Sequence, residues 1–208
     1  MNNLETHTFI DASTFEPLNR DTLWTLETYA KRRPAFREQV LAHKKLRSVA
    51  LGNHVTLLFE DHITMRYQVQ EMLRIEKIFE EDGIAHELEA FLPLVPTGTN
   101  LKATMMIEYS DVTERKAALI RLKDVEHKVW LQVEGEARVF ALADEDLPRS
   151  NAEKTSAVHF LRFELTPAMC AALKYGVTLS MGIDHPMYAQ NLDPISQKTR
   201  DALALDIL

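Results

Sequence analysis

Histidine and carboxylate side chains carry what acid–base or metal chemistry this sequence offers. His159 stands in the run EKTSAVHFLRFEL at 153–165. By the two-residue period of a strand, His159, Leu161, Phe163 and Leu165 share one face, and Phe160, Arg162 and Glu164 share the other. An imidazole on an apolar face is either a core histidine satisfied by a carbonyl or a ligand and acid–base group. His185 follows a second alternating run, Val177, Leu179, Met181 and Ile183, and sits in Asp184-His185-Pro186. A histidine at a strand end, beside an aspartate and stiffened by proline, suits the mouth of a site. The same three residues also suit a plain turn.

The third candidate is Glu76, on a helix expected over 62–82. At 100° per residue from Ile63, Glu76 falls at roughly 220°, between Met65 and Val69. A carboxylate on such a face needs a cation, hydrogen-bond donors or a metal. Glu76 is therefore expected to be mostly buried with a partner. Glu76, His159 and His185 form the expected metal set, suited to one divalent iron, manganese or zinc ion if three segments converge. Arg66, Gln70, Arg74 and Lys77 make a polar stripe on the same helix. Arg66 and Arg74 are the candidates for holding an anion.

Other chemistries lack their residues. Glu71 and Glu76 lie about 140° apart and no Glu-x-x-His occurs in the helix, so a di-iron carboxylate bundle is excluded. There is no G-x-G-x-x-G and no G-x-S-x-G. Cys170, the single cysteine, lies in the apolar run Ala168-Met169-Cys170-Ala171-Ala172. It cannot form an internal disulfide, and one cysteine cannot supply an iron–sulfur cluster or a cysteine zinc site. The acidic stretch Glu80 to Glu89, which includes His86, reads as a solvated helix end.

The elements that position these groups follow from periodicity and punctuation. Residues 1–17 have little pattern and are expected to be a flexible arm, available as an oligomer contact, with 18–208 as a single domain. Asn19 precedes a helix, Pro34 is expected to end it, and a second helix reaches Arg47. Ser48–Leu51 and His54–Phe59 flank Gly52-Asn53 as a hairpin. The helix 62–82 is expected to close at Gly83 as a left-handed cap, with another helical piece over 84–91. Strands are expected over 101–109, 129–133, 139–142, 155–165 and 177–183. Helices are expected to start at Asp111 and at Thr166-Pro167, and to end the chain over 194–205. Adjacent paired strands and blocks of helices predict α+β: a mostly antiparallel sheet flanked by helices, with an N-terminal helical pair and a long central helix.

The 208 residues carry 24 Lys and Arg against 31 Asp and Glu, a net charge of −7. With no dense basic run, a nucleic-acid footprint is not expected. No stretch of apolar residues is long enough to span a membrane, and MNNLETHTFI lacks the basic and apolar regions of a secretory signal. The chain is expected to be cytoplasmic.

Several long motifs point to a family. FED at 59–61, RYQVQEMLRIEKIFEEDGI at 66–84, MIEYSD at 106–111, EKTSAVHFLRFEL at 153–165 and GIDHPMY at 182–188 resemble an uncharacterised bacterial domain of unknown function. The resemblance spans Leu18 to about Asp193. It implies no activity and assigns no catalytic residue. It does imply encoding beside rubrerythrin-like proteins and iron–sulfur oxidoreductases, and so a role near redox or peroxide chemistry. Two functions are expected from this. The first is a soluble accessory or binding protein of a redox or peroxide-stress system, acting through such a partner. The alternative is a metal-dependent redox or hydrolytic enzyme with a His/carboxylate site.

Overall fold

The computed structural model describes residues 16–208. The expected arm therefore falls almost wholly outside the described residues. The chain divides into two compact units. One comprises the chain up to Lys45 together with His62–Val95, and the other comprises Leu46–Asp61 and Pro96–Leu208.

The first unit is helical: α1 (Leu26–Leu46), α2 (His62–Glu76) and α3 (Glu81–Phe91). Helix α1 runs unbroken through Pro34, where a boundary is expected from sequence. Proline forfeits one backbone bond there, but flanking aromatics hold the helix on both sides of it. Tyr29, Phe36, Val40 and Ile63 form a buried cluster with Trp24 and Tyr67 packed on it. Asn19 caps a turn instead of a helix, accepting from the backbone of Asp21 and Thr22. The expected long helix 62–82 is two helices. Lys77 takes a left-handed conformation (φ 57) and ends α2, while Gly83 lies inside α3.

The second unit carries the sheets. Strands β1 (Ser48–Leu51), β2 (Val55–Phe59), β3 (Asn100–Ile107), β6 (Leu142–Ala143) and β7 (Val158–Glu164) form one sheet in the order β1-β2-β3-β7-β6. Strands β4 (Val129–Val133), β5 (Val139–Phe140), β8 (Leu179–His185) and β9 (Tyr188–Leu192) form another, ordered β5-β4-β8-β9. Every pairing in both is antiparallel. Helices α4 (Val112–Arg121), α5 (Pro167–Lys174) and α6 (Gln197–Ala204) complete the unit. The α+β expectation holds.

Local chemistry explains the boundaries. The Asp111 carboxylate accepts from the Glu114 N–H at 2.8 Å, Thr166 from Met169 and Ser196 from Thr199, each an N-cap. Gly52 turns the β1–β2 hairpin at φ 74, and a Cβ there would lie 2.6 Å from the Tyr188 hydroxyl. Burial alternates along β7, with His159, Leu161 and Phe163 inward. The core of the unit is one cluster running from Val49 to Ile207.

Candidate functional site

Within the sheet unit, His159 and His185 are engaged with different partners and, among the described residues, share no group of metal-ligand types. Glu76 is exposed, the last residue of α2 in the helical unit, and this corrects the expectation of burial with a partner. The physical reason is the phase and length of the helix. Its buried stripe runs through Ile63, Arg66, Val69, Gln70 and Leu73, and Lys77 ends the helix before another turn can bury Glu76. His159 and His185 were expected on neighbouring strands, but β7 and β8 belong to different sheets.

His185 is nearly buried and fully engaged. Its Nε2 donates to the Lys123 carbonyl at 3.0 Å, and its Nδ1 accepts from the Met187 N–H at 3.2 Å. A carbonyl only accepts, so the proton is on Nε2. His185 closes the β8–β9 turn against the end of the loop after α4.

The two arginines are engaged separately. Arg74 pairs with Glu71 at 3.2 Å, and the Glu71 carboxylate also receives Arg33 at 2.6 Å and the Tyr29 hydroxyl at 2.6 Å. Those donors, Arg33 foremost, hold the Glu71 carboxyl down at about 2. Arg66 is buried with its guanidinium 4.6 Å from the Trp24 ring centroid, a cation–π contact.

His159 does belong to a cluster. It is 0% exposed and collects two carboxylates and two hydroxyls from separate segments. Its Nδ1 meets Asp144 Oδ2 at 2.6 Å. Its Nε2 meets Thr155 Oγ1 at 2.8 Å and the Ser156 carbonyl at 3.1 Å, with Glu126 Oε2 at 3.9 Å. The Thr155 hydroxyl donates to Glu126 Oε2 at 3.0 Å, and Ser150 donates to Glu126 Oε1. Burial pushes the Glu126 carboxyl up, but the Ser150 and Thr155 hydroxyls and the His159 ring outweigh it and hold it below the usual range.

Each member is placed by a local device. Asp124 in a left-handed conformation (φ 65) opens the short 3-10 turn Val125–Lys128, and that turn buries Glu126. Pairing of β6 with β7 sets Ala143 opposite Leu161. Asp144 then follows at φ 53, its N–H on the Phe160 carbonyl and its Oδ1 accepting from the Phe160 N–H at 3.0 Å. Arg149 adds an ion pair to Asp144 at 3.3 Å. The Thr155 N–H donates to the Leu119 carbonyl of α4. Among the described residues, Glu126, Asp144 and His159 are the metal-ligand types whose donor atoms all lie within 4.8 Å of one another.

Sequence reasoning found His159 and missed the other members. Glu126 does carry a faint signal, an acid flanked by Val125 and Val129 in a run that is otherwise polar. Asp144 and Thr155 lie in or beside a loop of twelve mostly polar residues, 143–154, with nothing to set them apart.

The family whose description is "Protein of unknown function (DUF3501)" matches residues 17–207, and the chain belongs to that family. It is also similar to the crystal structure of a protein of unknown function from Burkholderia pseudomallei K96243. That protein shares 58% identity at a TM-score of 0.88, and the alignment covers 93% of this chain and all of that one. No curated protein matches. Among the described residues, no helix is long and apolar enough to cross a membrane.

Proposed function

We propose that the protein binds one divalent metal ion through His159 Nε2, Glu126 Oε2 and Thr155 Oγ1. One observation carries this reading. The three donor atoms form a triangle with sides of 2.8, 3.0 and 3.9 Å. A point equidistant from them lies about 2.0 Å from each, the length of a metal–nitrogen or metal–oxygen bond. The Asp144 carboxylate stands on the other ring nitrogen, the place of the partner that fixes the orientation of a ligating imidazole. Ser150 and the Ser156 carbonyl supply further oxygens beside the triangle, and the ion would replace the Nε2 proton that this carbonyl accepts, releasing it to solvent. One nitrogen among hard oxygens suits manganese, iron(II) or zinc.

The burial of the site favours an accessory role over a hydrolytic one. With His159 at 0%, Thr155 at 1% and Glu126 at 2% exposure, the ligating residues present almost no surface to a substrate. The setting proposed is a redox or peroxide-stress system, with a rubrerythrin-like or iron–sulfur oxidoreductase partner. Its support is the genomic company that the family resemblance implies, together with a donor set that accepts iron.

The test is calorimetric titration of chelator-treated protein with manganese, with zinc and, anaerobically, with iron(II), alongside elemental analysis. One ion per chain is expected. A hundredfold excess over the dissociation constant should add about 2.7 kcal/mol to stability. Thr155→Val keeps the volume and removes one donor, so its affinity should fall roughly tenfold or more while the fold persists. Glu126→Gln should lose binding. A folded protein that takes up none of the three ions would overturn the proposal and leave the cluster as a hydrogen-bonded brace for the loop 143–155.

A further inference from the structure

A groove on the same unit adjoins the strand that carries the buried cluster, with Ala157 and Val158 between Ser156 and His159. This open groove of about 720 Å³ runs past the end of β3 and the start of α4. Met106 and Val158, cross-strand partners on β3 and β7, give it an apolar floor. His54 and Tyr109 stand together in it, their rings stacked at 3.9 Å and 7°. The His54 Nδ1 donates to the Glu108 carbonyl at 3.0 Å, which fixes the ring.

Two charges face this groove without facing each other. Glu108 accepts from the Thr56 hydroxyl through Oε2 at 2.9 Å, and among the described residues its Oε1 has no partner. Arg115, in the first turns of α4, also lines the groove, and among the described residues its guanidinium has no partner. No ion pair joins Glu108 to Arg115. This contrasts with most arginines of the protein, Arg20, Arg33, Arg47, Arg74, Arg138, Arg149, Arg162 and Arg200, which are paired with acids.

An apolar floor between a carboxylate with one oxygen left to accept and an unpaired guanidinium is complementary to a ligand that carries both charges. We infer that the groove binds a small amphiphilic zwitterion, an α-amino acid or short peptide. Its ammonium meets Glu108, its carboxylate meets Arg115, and its apolar side chain lies on Met106 and Val158. A guanidinium suits a carboxylate because its planar fork matches the two oxygens. The groove is open along its length, so an amino acid and a dipeptide can both lie on it.

The experiment is titration of the metal-free protein with L-leucine and with leucyl-leucine, followed by calorimetry and by amide NMR shifts. 4-Methylpentanoate and isoamylamine serve as comparison probes, each keeping the side chain and one charge. Saturable binding of at least one zwitterion at millimolar concentration or below is expected, with shifts centred on 106–115 and 157–158. Each single-charge probe should bind roughly tenfold weaker, because one charged group of the groove is then left unmatched. Glu108→Gln and Arg115→Gln change exposed or half-exposed side chains, so both variants should fold, and each should weaken the zwitterion roughly tenfold. Tighter binding of leucyl-leucine than of leucine would assign the peptide, and the reverse order the amino acid. No saturation by either zwitterion, equal binding of the single-charge probes, or affinity unchanged in both variants would overturn the inference. None of the groove residues belongs to the buried cluster, so loss of one site leaves the other to be measured.

Discussion

Glu71 shows how a single carboxylate can organise the helical unit. It gathers Arg33, Arg74 and the Tyr29 hydroxyl onto one side chain that is only 12% exposed. Its carboxyl is held at about 2 instead of the usual 4.5. A group whose folded value is depressed stabilises the fold above its unfolded value and loses that contribution as pH falls. The Glu71 contribution is therefore whole above about pH 4.5 and fades toward pH 2. Solvent around Arg33 and Arg74 weakens the pairs, so the contribution at neutral pH is about 2 kcal/mol. Glu71→Gln should lower stability by that amount at pH 7, and by much less at pH 2. Equal destabilisation at both values, in denaturant titrations of the two proteins, would contradict the pairing.

The buried cluster around His159 is only partly legible in the sequence. Strand alternation places His159 inward from sequence alone, because the period depends on nothing beyond the strand itself. Its companions depend on a two-residue strand, β6, finding β7, and on a left-handed residue before Glu126. Neither leaves a periodic signature. Glu76 is misplaced for the opposite reason: the ideal helical wheel presumes packing along a helix reaching 82, whereas Glu76 is the last, exposed residue of α2.

A left-handed terminus ordinarily takes glycine, so Gly83 looked like the end of the helix. The structure uses Lys77 instead, with Ile78 returning its N–H to the Leu73 carbonyl at 2.9 Å. A lysine at φ 57 carries a steric cost that glycine does not. Lys77→Gly should therefore stabilise the protein by about 0.5–1 kcal/mol, read as a rise in the denaturation midpoint. Gly52 should respond in the other direction. At φ 74, with the Tyr188 hydroxyl and the Gln190 side chain crowding the Cβ position, Gly52→Ala combines strain with a clash. It should cost about 2 kcal/mol or more. The hairpin, the caps at Asp111 and Thr166, and the strands β4 and β8 were readable because each rests on residues within four positions of one another. Strand β9 was not, since Tyr188–Leu192 alternates weakly and is mostly exposed.

At the scale of the molecule, the chain passes between its two units three times, at 45/46, 61/62 and 95/96. The hairpin β1–β2 is thus a short excursion of sequence that belongs to the sheet unit. Arg47 anchors it there. Its side chain is 1% exposed and donates to the Phe59, Glu60 and Ala202 carbonyls, while pairing with Asp206 and, at 3.5 Å, with Asp61. Through that one side chain the hairpin, the FED motif at 59–61 and the last helix are tied together. Arg47→Met would keep the bulk and remove the charge that Asp206 and Asp61 face. Breaking a buried pair from one side costs about 3–5 kcal/mol. The two tryptophans separate the units as reporters, Trp24 in the helical unit and Trp130 in the sheet unit. In Trp24→Phe and Trp130→Phe backgrounds, fluorescence follows one unit at a time through a denaturant titration. Arg47→Met should lower the Trp130 transition by about 3–5 kcal/mol, with a smaller change in the transition seen by Trp24. An unmoved Trp130 midpoint would show that the arginine network does not hold the sheet unit together.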